Sequence, residues 1–263
     1  MDYSVKNNNI IVCQKDFDLD QTLDCGQAFR WKKISENTYE GYFFDKYLKI
    51  SQNADCFTFY DTTENDFLNV WYDYFDFGTD YSELKKEFSQ DETLSKACEF
   101  AGGIRLLKQN SWECLISFII SQNNNIPRIK GIIGRLCEYY GSFPTAEMMI
   151  SETPESLEYL RSGFRAKYIC DAVQKVSDGT TDLEKIRTMP IDDARKALCQ
   201  IKGVGAKVSE CVLLYGMYRT EAFPVDVWIK RVLETYYPDG FPEFTSKGIA
   251  QQYLFHYIRN ITE

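Results

Sequence analysis

From Asn9 to Tyr60 the chain alternates apolar and polar positions in short runs. IIVC, AFRWKKI, TYEGYFF, YLKISQ and CFTFY are rich in β-branched and aromatic residues and are separated by Asn, Asp, Glu and Gly. That pattern predicts a small antiparallel sheet. After Asp61 the period changes, with Phe67, Val70, Trp71, Tyr74 and Phe75 recurring at helical spacing. From there on only helices are predicted: Tyr81 to Phe88, one capped by Asp91, an apolar one from Trp112 to Ser121, and Ile129 to Tyr139 behind Pro127. Others open at Ser151–Pro154 and end at Gly163, run through Val176, start at Met189–Asp193, follow Asp226 to about Tyr236, and span Lys247 to Ile261. The expected fold class is therefore α+β. It divides into an N-terminal antiparallel sheet domain at 1–90, a helical domain at 91–230 and C-terminal helices at 231–263 that pack back on the rest.

Composition removes several classes of function. The 263 residues are 44% hydrophobic, with no low-complexity tract and no Gly/Ser- or Pro-rich linker, so closely packed domains are expected. No apolar run reaches the length of a membrane span. A net charge of −9 argues against nonspecific coating of nucleic acid. It leaves room for a local basic face, and Arg128, Lys130, Arg165, Lys167, Lys202 and Lys207 fall beside glycine turns and polar loops. Nine dispersed cysteines without a CxxC pair, and His256 as the lone histidine, weaken any zinc reading. No metal or cofactor is expected, and the odd number of scattered thiols with a polar N-terminus indicates a reducing cytosol.

The stretch with the most chemistry is LCQIKGVGAKVSECVLLYG, Leu198 to Gly216, followed by FPVDVW, Phe223 to Trp228. It reads as a helix-hairpin-helix at about 191–217. Gly203 and Gly205 permit a tight turn, and the amides freed at the next helix start can face a phosphate. Lys207 lies in that helix's first turn, where the positive end of the dipole disfavours an ammonium and favours the nucleophilic neutral amine. Asp226 has the signature of an N-cap. An ionised carboxylate there can hold the helix, stabilise a developing sugar oxocarbenium ion, or do both.

Three further features are open to two readings. Gln122-Asn123-Asn124-Asn125 follows a buried helix; its amides can cap helix ends or be offered to unpaired bases and phosphates. Phe164, beside Arg165 and Lys167, is either core packing or an apolar wedge for a duplex. Gly26, before an aromatic and basic strand, is a turn glycine on residue type alone.

Taken together, CGQAFRW, IRLLKQNSWECLISFIISQNNNIPRI, GFRAKYI, IKGVGAKVSECVLLYG, PVDVW and AQQYLFHYIR resemble, in order and over nearly the whole length, the bifunctional 8-oxoguanine DNA glycosylase/AP lyases of the helix-hairpin-helix superfamily. The resemblance implies an N-terminal sheet with two helical parts, the site between the latter, and a flipped-out damaged base. It makes Lys207 the Schiff-base nucleophile and Asp226 its assisting carboxylate. Gly26 would offer its carbonyl to the N7–H that distinguishes oxidised guanine. Cys211 and Phe255 would sandwich the base, and Gln251 would bond its Watson–Crick edge. Asn123 would fill the gap in the stack, Arg128 and Arg165 would lie near the orphaned cytosine, and Phe164 would be the wedge. Trp228 stands where many relatives have histidine, at a phosphate or water contact, and Phe164 where others have tyrosine.

A monofunctional glycosylase would need no lysine at 207, an endonuclease III-like enzyme would carry four cysteines near its end, and a non-catalytic hairpin would have no reason to combine Lys207 with Asp226. The expected partner is double-stranded DNA containing oxidised guanine, bound by a monomer. The expected location is cytoplasmic, nucleoid-associated in a prokaryote or nuclear in a eukaryote.

Overall fold

Alternation in the N-terminal strands buries one residue in two: Ile10 and Val12, Leu48 and Ile50, Phe57 and Phe59 are all 0% exposed. In the computed structural model, which describes residues 2–262, these strands are β1 (Tyr3–Lys6), β2 (Asn9–Cys13), β3 (Trp31–Ser35), β4 (Thr38–Phe43), β5 (Lys46–Asn53) and β6 (Cys56–Tyr60). They form one antiparallel sheet in the order β1-β2-β6-β5-β4-β3. The helical run from Glu64 to Tyr74, which contains a π turn at Phe67–Trp71, lays Phe67, Trp71, Tyr74 and Phe75 into the same core as Trp31. The buried indole of Trp31 donates to the Tyr74 hydroxyl at 2.7 Å, which satisfies the polar handle that burying a tryptophan brings with it.

Two sheet features differ from the sequence expectation. β1 was hidden in a polar N-terminus, because Asn7 and Asn8 both adopt positive φ, 50° and 61°, and make the two-residue turn that reverses the chain into β2. Cys13 and Cys56 face each other across β2 and β6 with Cα atoms 4.0 Å apart and are joined by a disulfide. The expectation of thiols kept reduced therefore fails for this pair, since strand pairing unites residues 43 positions apart.

The chain divides into two compact units, one of residues 2–108 with 225–262 and one of residues 109–224. The C-terminal helices belong to the sheet's unit. That unit also holds the helices Leu19–Leu23, Tyr81–Phe88, Glu92–Phe100, Val227–Tyr236 and Lys247–Thr262. The second unit is built from Ser111–Ser121, Ile126–Tyr140, Ala166–Ser177, Leu183–Thr188, Ile191–Leu198 and Ala206–Cys211, the last continuing as a π turn, Val212–Gly216. The helix expected before Gly163 is reduced to a 3-10 turn, Ser156–Leu160. There Thr153 and Ser156 exchange side chain to backbone hydrogen bonds that compete with helical pairing, and Pro154 lacks an amide to donate.

The hairpin expected at 191–217 is present. Gly203 adopts φ +82°, and a Cβ placed on it would come within 2.3 Å of the Tyr168 ring. The turn rests on the helix Ala166–Ser177: the Lys202 amide donates to Asp171 at 2.7 Å, and Lys175 donates to Asp171 at 2.8 Å and to the Gln200 carbonyl at 2.6 Å. An Arg195–Glu210 ion pair joins the two hairpin helices, and Glu210 also accepts from the Phe223 amide at 2.6 Å. Gly205, in contrast, has an extended backbone and would meet nothing within 4 Å if given a Cβ.

The two glycines should therefore respond differently to alanine. Gly203→Ala combines left-handed strain with a clash against Tyr168 and is expected to cost about 2–4 kcal/mol in urea unfolding. Gly205→Ala is expected to change stability by less than about 0.5 kcal/mol. Equal effects would show that the turn is not held as described.

Candidate active site

Lys207 sits in the first turn of Ala206–Cys211, whose N-cap is Gly205 with no capping side chain. Its half-buried stem carries Nζ to 5.0 Å from the centroid of Phe118, a ring that is 3% exposed and stacked on Tyr215 at 5.3 Å. A cation over an aromatic face is held by the ring quadrupole, so the amine has a defined seat. Cys211, one turn further on, shares the Lys207 face and is 2% exposed. Its carbonyl accepts from the Cys114 thiol at 3.8 Å. Burial holds the Cys114 thiol well above the usual thiol range, against the pull of the Lys207 charge. Cys114 is thus kept as the thiol, a far weaker nucleophile than a thiolate.

Asp226 is the N-cap of Val227–Tyr236, as its sequence context predicted. One carboxylate oxygen accepts from the amides of Trp228 at 3.0 Å and Ile229 at 2.9 Å. The second oxygen has no part in that cap. Trp228 is half-buried, with the Arg231 guanidinium 5.2 Å from its ring centroid. Val225 and Val227, on either side of Asp226, are 41% and 66% exposed.

The base-reading candidates of the sheet's unit come together through a buried polar network that residue types alone do not reveal. Gln27, 0% exposed, donates to the carbonyls of Thr22 at 3.0 Å and Arg105 at 2.8 Å and accepts from the Leu107 amide at 2.9 Å. This holds the turn at Gly26, which takes φ +89°, a conformation that favours glycine. Burial pushes the Cys25 thiol up to about 11, and the Gln252 side chain reaches it from the last helix. On that helix Gln251 is 3% exposed and Phe255 half-buried, one turn apart on a shared face. The last helix therefore lies against the turn that holds Cys25 and Gly26.

The polar loop divides its work. Gln122 and Asn124 donate to the carbonyls of Ile119 at 3.2 Å and Ile120 at 3.1 Å, and Asn125 caps Ile126–Tyr140 by accepting from the Arg128 amide at 3.0 Å. These three amides do the capping that the sequence left open. Asn123 alone has positive φ, 46°, and its exposed side chain takes no part in the capping. Phe164 is 46% exposed, too open for core packing, and Arg128 is exposed as well. Arg165 is 3% exposed, and its guanidinium donates to the Gln122, Asn123 and Ser162 carbonyls.

Sequence reasoning missed Gln27, Glu210 and Phe118 as supports of the site. Glu210 left a trace, lying three positions after Lys207 within the hairpin; Gln27 and Phe118 are indistinguishable in sequence from ordinary core-motif residues.

Comparison with known proteins bears on both units. Residues 9–115 match the family model for the 8-oxoguanine DNA glycosylase N-terminal domain, and residues 116–240 that for HhH-GPD superfamily base excision DNA repair proteins. The 8-oxoguanine glycosylase/lyase of Clostridium acetobutylicum, solved with double-stranded DNA containing cytosine opposite 8-oxoG, is similar at TM-score 0.92 and 36% identity, over 100% of this chain and 99% of that one. A probable N-glycosylase/DNA lyase of Methanothermobacter thermautotrophicus is 31% identical over 215 residues, 65% of this chain and 69% of the relative. The N-glycosylase/DNA lyase of Saccharomyces cerevisiae is 38% identical over 158 residues, 51% of this chain, and the match spans only 42% of the yeast protein. With a seated lysine in the hairpin, a capping aspartate after it and similarity running through both units, the chain belongs to the 8-oxoguanine DNA glycosylase/lyase family of the HhH-GPD superfamily.

Proposed function

We propose that this protein excises 8-oxoguanine from duplex DNA and cleaves the strand at the resulting site, with Lys207 as nucleophile. The observation that carries the reading is Lys207 in the hairpin's first turn, seated over Phe118 at 5.0 Å in a chain of this family. Once it has given up a proton, the Lys207 amine attacks the sugar C1′, the bond to the base breaks, and the base leaves with the bonding electrons and takes up a proton. The ring then opens to an imine on Lys207, and elimination of the 3′ phosphate completes the lyase step. The ionised Asp226 stabilises the positive charge that develops on the sugar.

Base selection falls to the other unit and to Cys211. The Gly26 carbonyl accepts from the N7–H of the oxidised base; undamaged guanine meets it with a lone pair, and the unpaired polar groups oppose its binding. Phe255 and Cys211 sandwich the ring and Gln251 bonds its Watson–Crick edge. On the duplex, the backbone amides that follow the Gly203–Gly205 turn bind a phosphate at the hairpin, Trp228 contacts the backbone beside Asp226, and Asn123 fills the emptied position. Asn124 and Asn125 shape that loop, Arg128 faces the opposite base and Phe164 opens the stack. One copy of the chain suffices for one lesion, and its place in the cell is with the DNA.

Single-turnover assays on a duplex with 8-oxoguanine opposite cytosine test these roles. Lys207→Gln is expected to abolish both excision and strand cleavage; retained cleavage would exclude Lys207 as the nucleophile. Asn caps helices as well as Asp, so Asp226→Asn should leave the melting temperature unchanged while slowing excision about 100- to 1000-fold. Unchanged excision would leave Asp226 a cap only. In lesion-duplex titrations, Phe255→Ala should weaken binding by about 1–3 kcal/mol, the range for base–aromatic stacking; a smaller loss on lesion than on undamaged DNA would contradict the sandwich.

A further inference from the structure

In the sheet's unit, the segment 103–107 belongs to no helix or strand and is held from two sides. One side is the turn at Gly26 with the helix before it. The Gly103 carbonyl accepts from the Thr22 hydroxyl at 3.0 Å and from the Asp18 amide at 2.9 Å, and the Arg105 amide donates to the Thr22 hydroxyl at 3.1 Å. Gln27 takes the Arg105 carbonyl and the Leu107 amide. The other side is a pair of tyrosines. The Tyr253 hydroxyl donates to the Ile104 carbonyl at 2.9 Å, and the Tyr81 hydroxyl accepts from the Leu106 amide at 2.8 Å. Odd-numbered residues thus bond the turn and even-numbered ones the tyrosines, the alternation of an extended chain. Tyr253 is 0% exposed, and burial raises its phenol well above the usual range, so it stays a donor. It lies midway between Gln251 and Phe255 on Lys247–Thr262. Two residues are about 200° of helical turn, so it projects away from the face that those two share. Its neighbour Gln252 bonds the thiol of Cys25, directly before Gly26. The last helix is therefore fastened to the Gly26 turn twice, directly by Gln252 and through the segment 103–107 by Tyr253.

We infer that Tyr253 is a positioning residue for base selection: its bond to Ile104 sets the register between the helix that carries Gln251 and Phe255 and the turn that carries the Gly26 carbonyl. The inference rests on the proposed reading of 8-oxoguanine by those three residues. Selection by a single N7–H requires the carbonyl and the groups that hold the ring to keep a fixed spacing, because a hydrogen bond weakens steeply as its angle closes. Without the hydroxyl the Ile104 carbonyl is left buried and unpaired. The segment then shifts toward another donor and takes Arg105, Leu107 and with them Gln27 along. Elimination at a site that has already lost its base needs no such register.

The test reads base selection apart from chemistry. In a Lys207→Gln background, titration of duplexes with 8-oxoguanine or guanine opposite cytosine gives an affinity ratio. With Lys207 intact, cleavage of a duplex carrying a preformed abasic site reports the lyase step alone. Tyr253→Phe keeps the ring and its packing. It is expected to lower the ratio about threefold to tenfold, the worth of one hydrogen bond, with abasic-site cleavage unchanged. Thr22→Val cuts the same line on the side of the turn and should lower the ratio likewise. The double variant should lose no more than the larger single loss, since coupled residues are not additive. Tyr237→Phe is the control: it removes another buried hydroxyl of this unit, bonded to Asp91 at 2.6 Å, and should lower the melting temperature with the ratio intact. Four results would overturn the inference: an unchanged ratio in Tyr253→Phe, an equal loss of abasic-site cleavage, additive losses in the double variant, or a ratio lowered as far by Tyr237→Phe. Should Tyr253→Phe not fold, Thr22→Val carries the same comparison. Failure of the functional reading registers separately, as unsubstituted protein that leaves both the 8-oxoguanine and the abasic duplex uncut, and overturns both.

Discussion

Gly203 stands against the ring of Tyr168, closer than any residue with a Cβ could come, and the location of Lys207 follows from that contact. The left-handed turn lets the chain fold back between two helices, and the Asp171 and Lys175 side chains hold it against Ala166–Ser177. Four residues later Lys207 is already in the first helical turn, where its direction is set by the helix rather than by a mobile loop. Glu210 then ties that helix back to Arg195 and forward to Phe223, the start of the segment that ends in Asp226. In the proposed role of nucleophile, an amine placed by backbone geometry loses little entropy on meeting its target, which is where much of an enzyme's advantage lies.

The second constraint is the satisfaction of buried polar groups around Gly26. Reading a base by one backbone carbonyl, the role proposed for Gly26, requires that the carbonyl not move, and a glycine turn is the least restrained element a chain can offer. Gln27 answers this with donors and an acceptor all engaged below the surface, since an unmet bond there costs about 1–3 kcal/mol. Arg105 extends the same network: it is 1% exposed, donates to the carbonyls of Asp16 at 2.9 Å and Asp76 at 2.7 Å, and stacks 4.4 Å from the centroid of Tyr81. In both units, loops that carry candidate recognition residues are fastened by buried side chains to carbonyls. Arg165 and Gln27 do the same job on different chemistry.

Much of this was legible in residue order, and the failures have physical causes. Period-two runs located β2 to β6, and the spacing of Phe67, Trp71 and Tyr74 located the helix over the sheet, because each reports burial of one face. β1 escaped because Asn7 and Asn8 look like any polar tail until their positive φ is known. The Cys13–Cys56 bond escaped because strand register is not written in cysteine spacing. Gly203 and Gly205 were equivalent as letters, yet only Gly203 is required by the turn. Asp226 was found as a cap because capping is local, whereas the inward direction of Arg165 depends on carbonyls 42 and 43 positions away and leaves no local pattern.

The central claim is that the hairpin delivers one particular amine to the sugar. Borohydride reduction of the protein with an 8-oxoguanine duplex, followed by proteolysis and mass mapping of the adduct, tests it most directly. The account predicts the reduced sugar remnant on Lys207. An adduct on Lys202, Lys230 or another amine would contradict it.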